Sequence, residues 1–198
     1  MVIVATDDER IAEHVKKFGG DVSMTSSDHQ SGTDRCAEVL KNIKGSFDVV
    51  INIQGDEPFI DPAQIELVAN CFNGNETQIA TLIKKTVSEE EIKNPNVVKV
   101  IRDKWHNAIY FSRSPIPYRR NPQAIIQYYK HIGIYGYRSD CLLHITKLDP
   151  GTFETAESLE QLRWIENGIR IRVKETEMET ISIDTPDDLK KAFQYLNG

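Results

Sequence analysis

No apolar run in the sequence approaches the roughly 18 residues that a membrane span requires. The opening residues also lack the cationic, apolar and small-residue succession of a secretory leader, so a cytoplasmic protein is the expectation. Cysteine is scarce. Cys36, Cys71 and Cys141 are odd in number, far apart and in no Cys-x-x-Cys arrangement, which indicates neither a disulfide framework nor a zinc site; reduced core residues are the expectation. Positive charge is not in excess: 24 Lys and Arg stand against 30 Asp and Glu, a formal net charge of −6. That balance argues against nucleic acid as partner, although a small anion held by a few local cations is compatible with it. Repeats, linkers and low-complexity segments are absent, and 39% hydrophobic with 27% charged residues is ordinary for a single globular domain over residues 1–198.

What is present is an alternation of strand and helix signals. Val2-Ile3-Val4-Ala5 reads as a strand, followed by a helix with Ile11, Val15 and Phe18 on one face and Gly19-Gly20 at its end. Asp21 to Thr25 reads as a second strand. Asp28 to Thr33 is a polar loop into a helix whose apolar face is Cys36, Val39, Leu40 and Ile43. Val49-Val50-Ile51-Asn52-Ile53 is a third strand, stopped by Gln54-Gly55-Asp56-Glu57-Pro58. Asp61-Pro62-Ala63-Gln64 then has the N-cap, proline and Gln of a capping box. Such alternation predicts an α/β fold, a mostly parallel sheet with helices on both faces.

From about residue 97 to 137 the pattern changes. Val97 to Ile101, Ala108 to Phe111 and Lys130 to Tyr137 read as strands without long helices between them, an antiparallel insertion whose hairpin loop is Asp103 to Asn107. Pro115, Pro117 and Pro122 mark an irregular connection. Helices over about 140–148 and 157–166 precede strands at 169–173 and 180–183, and a last helix starts at Pro186.

In open α/β sheets ligands sit beyond the carboxyl ends of strands, where Asp56 is expected. A solvated turn accounts for Gly55, Asp56 and Pro58 equally well. Asp184 follows another apolar strand. Thr185, Pro186 and Asp188 are explained as a helix start, which leaves Asp184 over. If the two strands are neighbours, two carboxylates suffice for Mg²⁺, which takes one or two carboxylates plus substrate phosphates. Strand alternation places His131, Gly133, Tyr135 and Tyr137 on one face, either as amphipathic cover or, given the glycines, where a ligand or another backbone comes close. Arg113 offers a bidentate donor for a carboxylate. Glu157, Glu160 and Gln161 share a helix face by their spacing, and Gln30-Ser31-Gly32-Thr33 precedes a helix whose amides suit a nucleotide; each feature alone is commonplace.

Together, Asp28-His29-Gln30-Ser31-Gly32-Thr33-Asp34-Arg35, Gln54-Gly55-Asp56-Glu57-Pro58, Phe111 to Pro117, His131 to Tyr137, Leu159-Glu160-Gln161-Leu162-Arg163 and Asp184-Thr185-Pro186 resemble the CMP-KDO synthetase family, the 3-deoxy-manno-octulosonate cytidylyltransferases. The resemblance runs the length of the chain in the family's order. It implies transfer of CMP from CTP to the eight-carbon acid sugar KDO, with Mg²⁺ and release of pyrophosphate, for lipopolysaccharide synthesis. It further implies that Asp56 and Asp184 hold Mg²⁺ and that Gln30, Ser31 and Gly32 contact the cytidine. Gln54, Arg113, His131, Tyr135, Glu160 and Gln161 would line the sugar pocket, with Arg113 facing the sugar carboxylate. A homodimer is implied, with residues from about Pro115 to Tyr137 as its contact.

One departure stands out. Family members open with a further strand and a basic loop of the form Arg-x-x-Ser-x-Arg-Leu-Pro-Gly-Lys, about one βα unit of roughly 30 or more residues, ahead of the equivalent of Val2-Ile3-Val4. A chain starting at Met1 is expected to be N-terminally incomplete, to expose apolar sheet edge and to bind CTP poorly. Two alternatives follow from the sequence: a non-catalytic binding module for nucleotide or sugar acid, and a cytidylyltransferase for another acid sugar such as neuraminate.

Overall fold

The computed structural model describes residues 1–178, 183, 189–190 and 192–194. In chain order the elements are β1 (Val4–Thr6), α1 (Glu9–Lys17), β2 (Val22–Met24), α2 (Gly32–Asn42), β3 (Val49–Asn52), α3 (Pro62–Asn70), β4 (Ile79–Thr86), α4 (Glu89–Lys93), β5 (Lys99–Arg102), β6 (Ala108–Ser112), β7 (Tyr128–Arg138), α5 (Ser139–Ile145), α6 (Thr152–Glu157), α7 (Gln161–Glu166) and β8 (Ile171–Glu175). The expected strand at 180–183 and the start of the last helix lie outside the described residues, apart from Ile183.

The sheet is mixed. β1 pairs β2 in parallel, and β4 pairs β8 in parallel. The long strand β7 runs antiparallel to β3, β4 and β5, so the strands of the 97–137 segment are built into the main sheet rather than appended to it. β4 has no counterpart in the sequence reading, yet Ile79, Ala80, Leu82 and Ile83 are fully buried and it lies between β7 and β8. Its Ile-Ala-Thr-Leu-Ile run is the short apolar signal of a two-sided strand.

Helices cover both faces. On one side α2 and α5 bring Ala37, Cys141, Leu142 and Ile145 against Ile79, Ile83, Tyr135, Tyr137, Ile171 and Val173. On the other, α3 brings Val68 and Phe72 against Ala80, Leu82, Ile132 and Ile134. α3 begins as its sequence dictates: Asp61 and Gln64 form the capping box with Pro62 at the first helical position. Such a cap contributes about 1 kcal/mol. α1 differs from expectation. Ala12 and Val15 are buried, whereas Ile11 and Phe18 are exposed, because the two three-residue strands beneath this helix cover only a narrow stripe of it.

The two-stranded and the larger sheet are not hydrogen-bonded to each other among the described residues. α2 spans the gap. Beneath it, Ile3 and Ala5 of the β1 segment face Val49 and Ile51 of β3 across an apolar cavity of about 150 Å³.

The glycines of β7 have separate reasons. At Gly136 a Cβ would come within 2.7 Å of both Phe72 and Val68 side chains, so the close approach is that of α3 on the sheet. At Gly133 the nearest atom would be Glu57 Oε1 at 3.6 Å, an ordinary contact. Gly136→Ala should therefore cost about 1–3 kcal/mol through overpacking, read as a lowered urea midpoint with an unchanged m-value. Gly133→Ala should leave the midpoint near wild type.

Candidate active site

Strand β3 ends at Asn52, and the next residues carry Gln54 and Asp56 out over the end of the sheet. Gln54 Nε2 approaches the Gly133 carbonyl at 3.4 Å, which sets this loop beside β7. Ile183, the residue preceding Asp184 in the sequence, donates its N–H to the Asp56 carbonyl at 2.8 Å. Asp184 itself lies outside the described residues. Asp56 Oδ1 is buried without a hydrogen-bond partner among the described residues. A carboxylate oxygen in that state is costly unless a cation or donor meets it, and an all-oxygen donor set suits Mg²⁺. Among the described residues no group of three or more His, Cys, Asp or Glu side chains is placed to hold a metal.

The loop before α2 is a capped helix start. Ser31 Oγ accepts from Asp34 N and donates to the Asp34 carboxylate, while Gln30 is exposed, its amide tied to the Asp28 carbonyl. Gly32 has Asn52 Nδ2 3.2 Å from where a Cβ would stand, so the loop rests on the end of β3. Thr33 is buried, and its hydroxyl donates to Glu160 Oε2 at 2.7 Å with Tyr137 Oη 3.4 Å away. Burial pushes the Glu160 carboxyl up, against the hydrogen bond from Thr33 that favours its anion. The loop before α2 and Glu160 are thus one hydrogen-bonded unit.

On β7, alternation puts His131 and Tyr135 on the same side, opposite Ile83 and Thr81 of β4, and the register shift between Thr81 and Leu82 leaves it so. Their rings lie 5.2 Å apart; Tyr135 stacks on Tyr137, and both meet the buried Trp164 edge-on. Thr81 Oγ1 donates to the Ile134 carbonyl at 2.7 Å, so at 2.9 Å it accepts from His131 Nε2–H. That bond fixes the tautomer and leaves Nδ1 as an acceptor. His131 is half-buried, and burial pushes its pKa down to about 3. It is therefore neutral at neutral pH. Tyr135 Oη lies near Thr81 but makes no well-formed hydrogen bond among the described residues, a buried donor lacking an acceptor.

Two expectations change. The helix expected over 157–166 is broken at Ser158, which is left-handed at φ 52, ψ 51, so α6 and α7 are separate and Glu157 shares no face with Glu160 and Gln161. Instead Glu157 accepts from Ser112 Oγ and from the Arg113 N–H. Arg113 is tied up as well: its guanidinium donates to the carbonyls of Glu157, Pro95 and Ser158, and among the described residues it hydrogen-bonds to none of the other candidates. Gln161 is buried at the start of α7.

Sequence reasoning passed over Thr33, Asn52, Thr81 and Tyr137 as site residues. Thr33 and Tyr137 stood inside motifs already singled out, and Asn52 is the one polar residue in its strand. Thr81 belongs to the unread β4. A separate cavity of about 800 Å³ between α3 and β8, lined by Arg170, Arg172 and Lys174, contains none of these residues.

Known proteins match this arrangement. The cytidylyltransferase family model matches residues 1–173. The chain is 55% identical to the 3-deoxy-manno-octulosonate cytidylyltransferase of Bacteroides thetaiotaomicron over 203 aligned positions, covering 98% of this chain and 81% of that protein. The enzyme of the same name from Geobacter metallireducens is 47% identical, with 99% and 81% covered. The solved structure of a CMP:2-keto-3-deoxy-manno-octonic acid synthetase complexed with CTP superposes with a TM-score of 0.92 at 43% identity, covering 99% of this chain and 80% of that one. An inositol-1-phosphate CTP transferase from T. maritima, 14% identical with a TM-score of 0.64, shares the fold. With its α/β architecture and its relatives in agreement, the chain belongs to the cytidylyltransferases, a nucleotidyltransferase family, alongside the 3-deoxy-manno-octulosonate cytidylyltransferases.

Proposed function

We propose that the protein transfers CMP from CTP to the anomeric hydroxyl of 3-deoxy-D-manno-octulosonate. The sugar oxygen–α-phosphorus bond forms as the bond to pyrophosphate breaks. On this reading the enzyme is cytoplasmic, depends on Mg²⁺ and feeds lipopolysaccharide synthesis. The observation that carries it is the partnerless Asp56 Oδ1 at the end of β3, hydrogen-bonded through its own carbonyl to the residue before Asp184. These two carboxylates are the proposed Mg²⁺ ligands. When bound, the ion would shield phosphate charge and lower the pKa of the attacking hydroxyl.

The chain's own residues do the positioning. The capped start of α2, with Gln30, Ser31 and Gly32, receives the cytidine. Gln54, His131, Tyr135, Glu160 and Gln161 bind the acid sugar, and Arg113 serves the same pocket. Neutral His131 accepts a sugar hydroxyl at Nδ1, and Tyr135 Oη donates where it now lacks an acceptor. Fixing the hydroxyl against the α-phosphorus removes the entropic part of the barrier. A homodimer through residues from about Pro115 to Tyr137 is supported by Tyr118 and Ile125, large apolar side chains left almost fully exposed there.

Pyrophosphate release from CTP, the acid sugar and Mg²⁺ is the direct assay. Turnover that prefers neuraminate in competition, or CTP and sugar binding with no release, would overturn the assignment. Asp56→Asn and Asp184→Asn should each lower kcat/KM by at least about 10³-fold, several kcal/mol of transition-state stabilisation, with the thermal midpoint little changed. Wild-type rates in either would sink the metal assignment. His131 yields a pH prediction. Its folded pKa of about 3 lies below the ordinary histidine value of 6.5, so the unfolded chain takes up the proton first. Its stabilising contribution is full above pH 6.5 and is lost as pH falls towards 3. An NMR titration of the His131 ring should show no midpoint between about pH 5 and 8; a midpoint in that window would refute the neutral assignment.

A further inference from the structure

Arg113 invites a reading different from that of a carboxylate ligand. The apolar spacing of residues 157–166 suits a continuous helix, yet the chain breaks at Ser158, a serine in the left-handed region that favours glycine. Non-glycine residues persist there only where their surroundings over-determine them, typically at functional sites. The determinant here is the end of β6. Ser112 Oγ and the Arg113 N–H donate to the two Glu157 carboxylate oxygens at 2.6 and 2.9 Å. The Arg113 guanidinium donates through Nε to the Glu157 carbonyl at 2.7 Å, through Nη2 to the Ser158 carbonyl at 3.3 Å and through Nη1 to the Pro95 carbonyl at 3.0 Å.

The carbonyls of Glu157 and Ser158 are those that a continuing helix would give to the N–H groups of residues 161 and 162. With the guanidinium on them, Leu162 N turns to the Leu159 carbonyl and Arg163 N to the Glu160 carbonyl, a tighter restart. Behind the break, the Ser158 and Leu159 N–H groups both close on the Glu154 carbonyl. The break separates the two acids. Glu157 points at β6, while Glu160 reaches Thr33 at 2.7 Å and Gln161 is buried beside it. The Nε–Nη2 edge of the guanidinium, the edge that forks a carboxylate side-on, is already occupied by backbone.

We propose that Arg113 is a positioning residue: by taking the carbonyls of Glu157 and Ser158 it holds the left-handed turn that delivers Glu160 and Gln161 to the acid-sugar pocket. The inference rests on the proposed function for what the pocket binds, but the geometry it asserts is separable. Glycine at 158 adopts the left-handed conformation without the steric penalty, so it should replace much of what Arg113 does. A lost ligand contact could not be replaced that way.

The experiment compares wild type with Arg113→Ala, Arg113→Lys, Ser158→Gly and the Arg113→Ala/Ser158→Gly pair. Arg113→Gln stands in for alanine if that variant does not fold. Hydrogen exchange at the amides of residues 158–163 needs no turnover. Arg113→Ala should speed it, and the added Ser158→Gly should restore most of the protection. In steady-state pyrophosphate release, Arg113→Ala should raise the sugar KM about tenfold or more while the CTP KM stays within about twofold, and the pair should recover to within about threefold of wild type. Lysine, a point charge that cannot span three carbonyls, should behave like alanine. Unchanged exchange in Arg113→Ala, or a sugar KM that Ser158→Gly does not rescue, would overturn the inference. A wild-type protein without turnover would instead refute the proposed function and leave exchange to decide the role of Arg113.

Discussion

The antiparallel pairing of β7 with β4 is the constraint on which the rest of the structure depends. β7 is eleven residues long, pairs with β4 over its length, and also pairs with β3 at one end and β5 at the other. Its two faces feed the two hydrophobic clusters: Ile132 and Ile134 go to α3, Tyr135 and Tyr137 to α2 and α5. Full burial of such side chains is worth about 1.5–3 kcal/mol each, so this ladder is the principal source of cohesion between the halves of the chain. Alternation along it also sends His131 and Tyr135 to one side, so the fold and the candidate site share one cause.

Polar groups around the candidate site are shifted by burial from their values in water. His131 is kept neutral by burial and oriented by Thr81; the Glu160 carboxyl is pushed upward by burial while Thr33 holds one of its oxygens. His131 and Glu160 are each satisfied through a neighbour on a different element, which makes the site sensitive to the packing of α2 and α7 against β7. Asp56 Oδ1 and Tyr135 Oη, both without a hydrogen-bond partner among the described residues, mark where a ligand would be gained.

Much of this was legible locally. The capping box of α3, the Ser31 start of α2, the hairpin at Asp103 and the two-sided character of β7 follow from short-range rules and appear as read. The failures are long-range. β4 was passed over because a short apolar run carries no periodicity to announce it, although it is the most deeply buried strand. The face of α1 depends on the width of a two-stranded floor. The helix at 157–166 obeys every local rule for continuity and is stopped by a guanidinium from a strand more than forty residues away in sequence.

The sequence by itself determined the α/β class, the helix starts, the strand ends that carry Gln54 and Asp56, and the set of motifs resembling one enzyme family, because each of these depends on neighbours a few residues apart. Tertiary structure alone decided that β7 sits antiparallel among β3, β4 and β5, that Thr33 joins the nucleotide-type loop to Glu160, and that Arg113 spends its hydrogen bonds on backbone. Those outcomes rest on contacts between residues distant in the chain, and such partners are chosen by packing and by the need to satisfy every buried polar group.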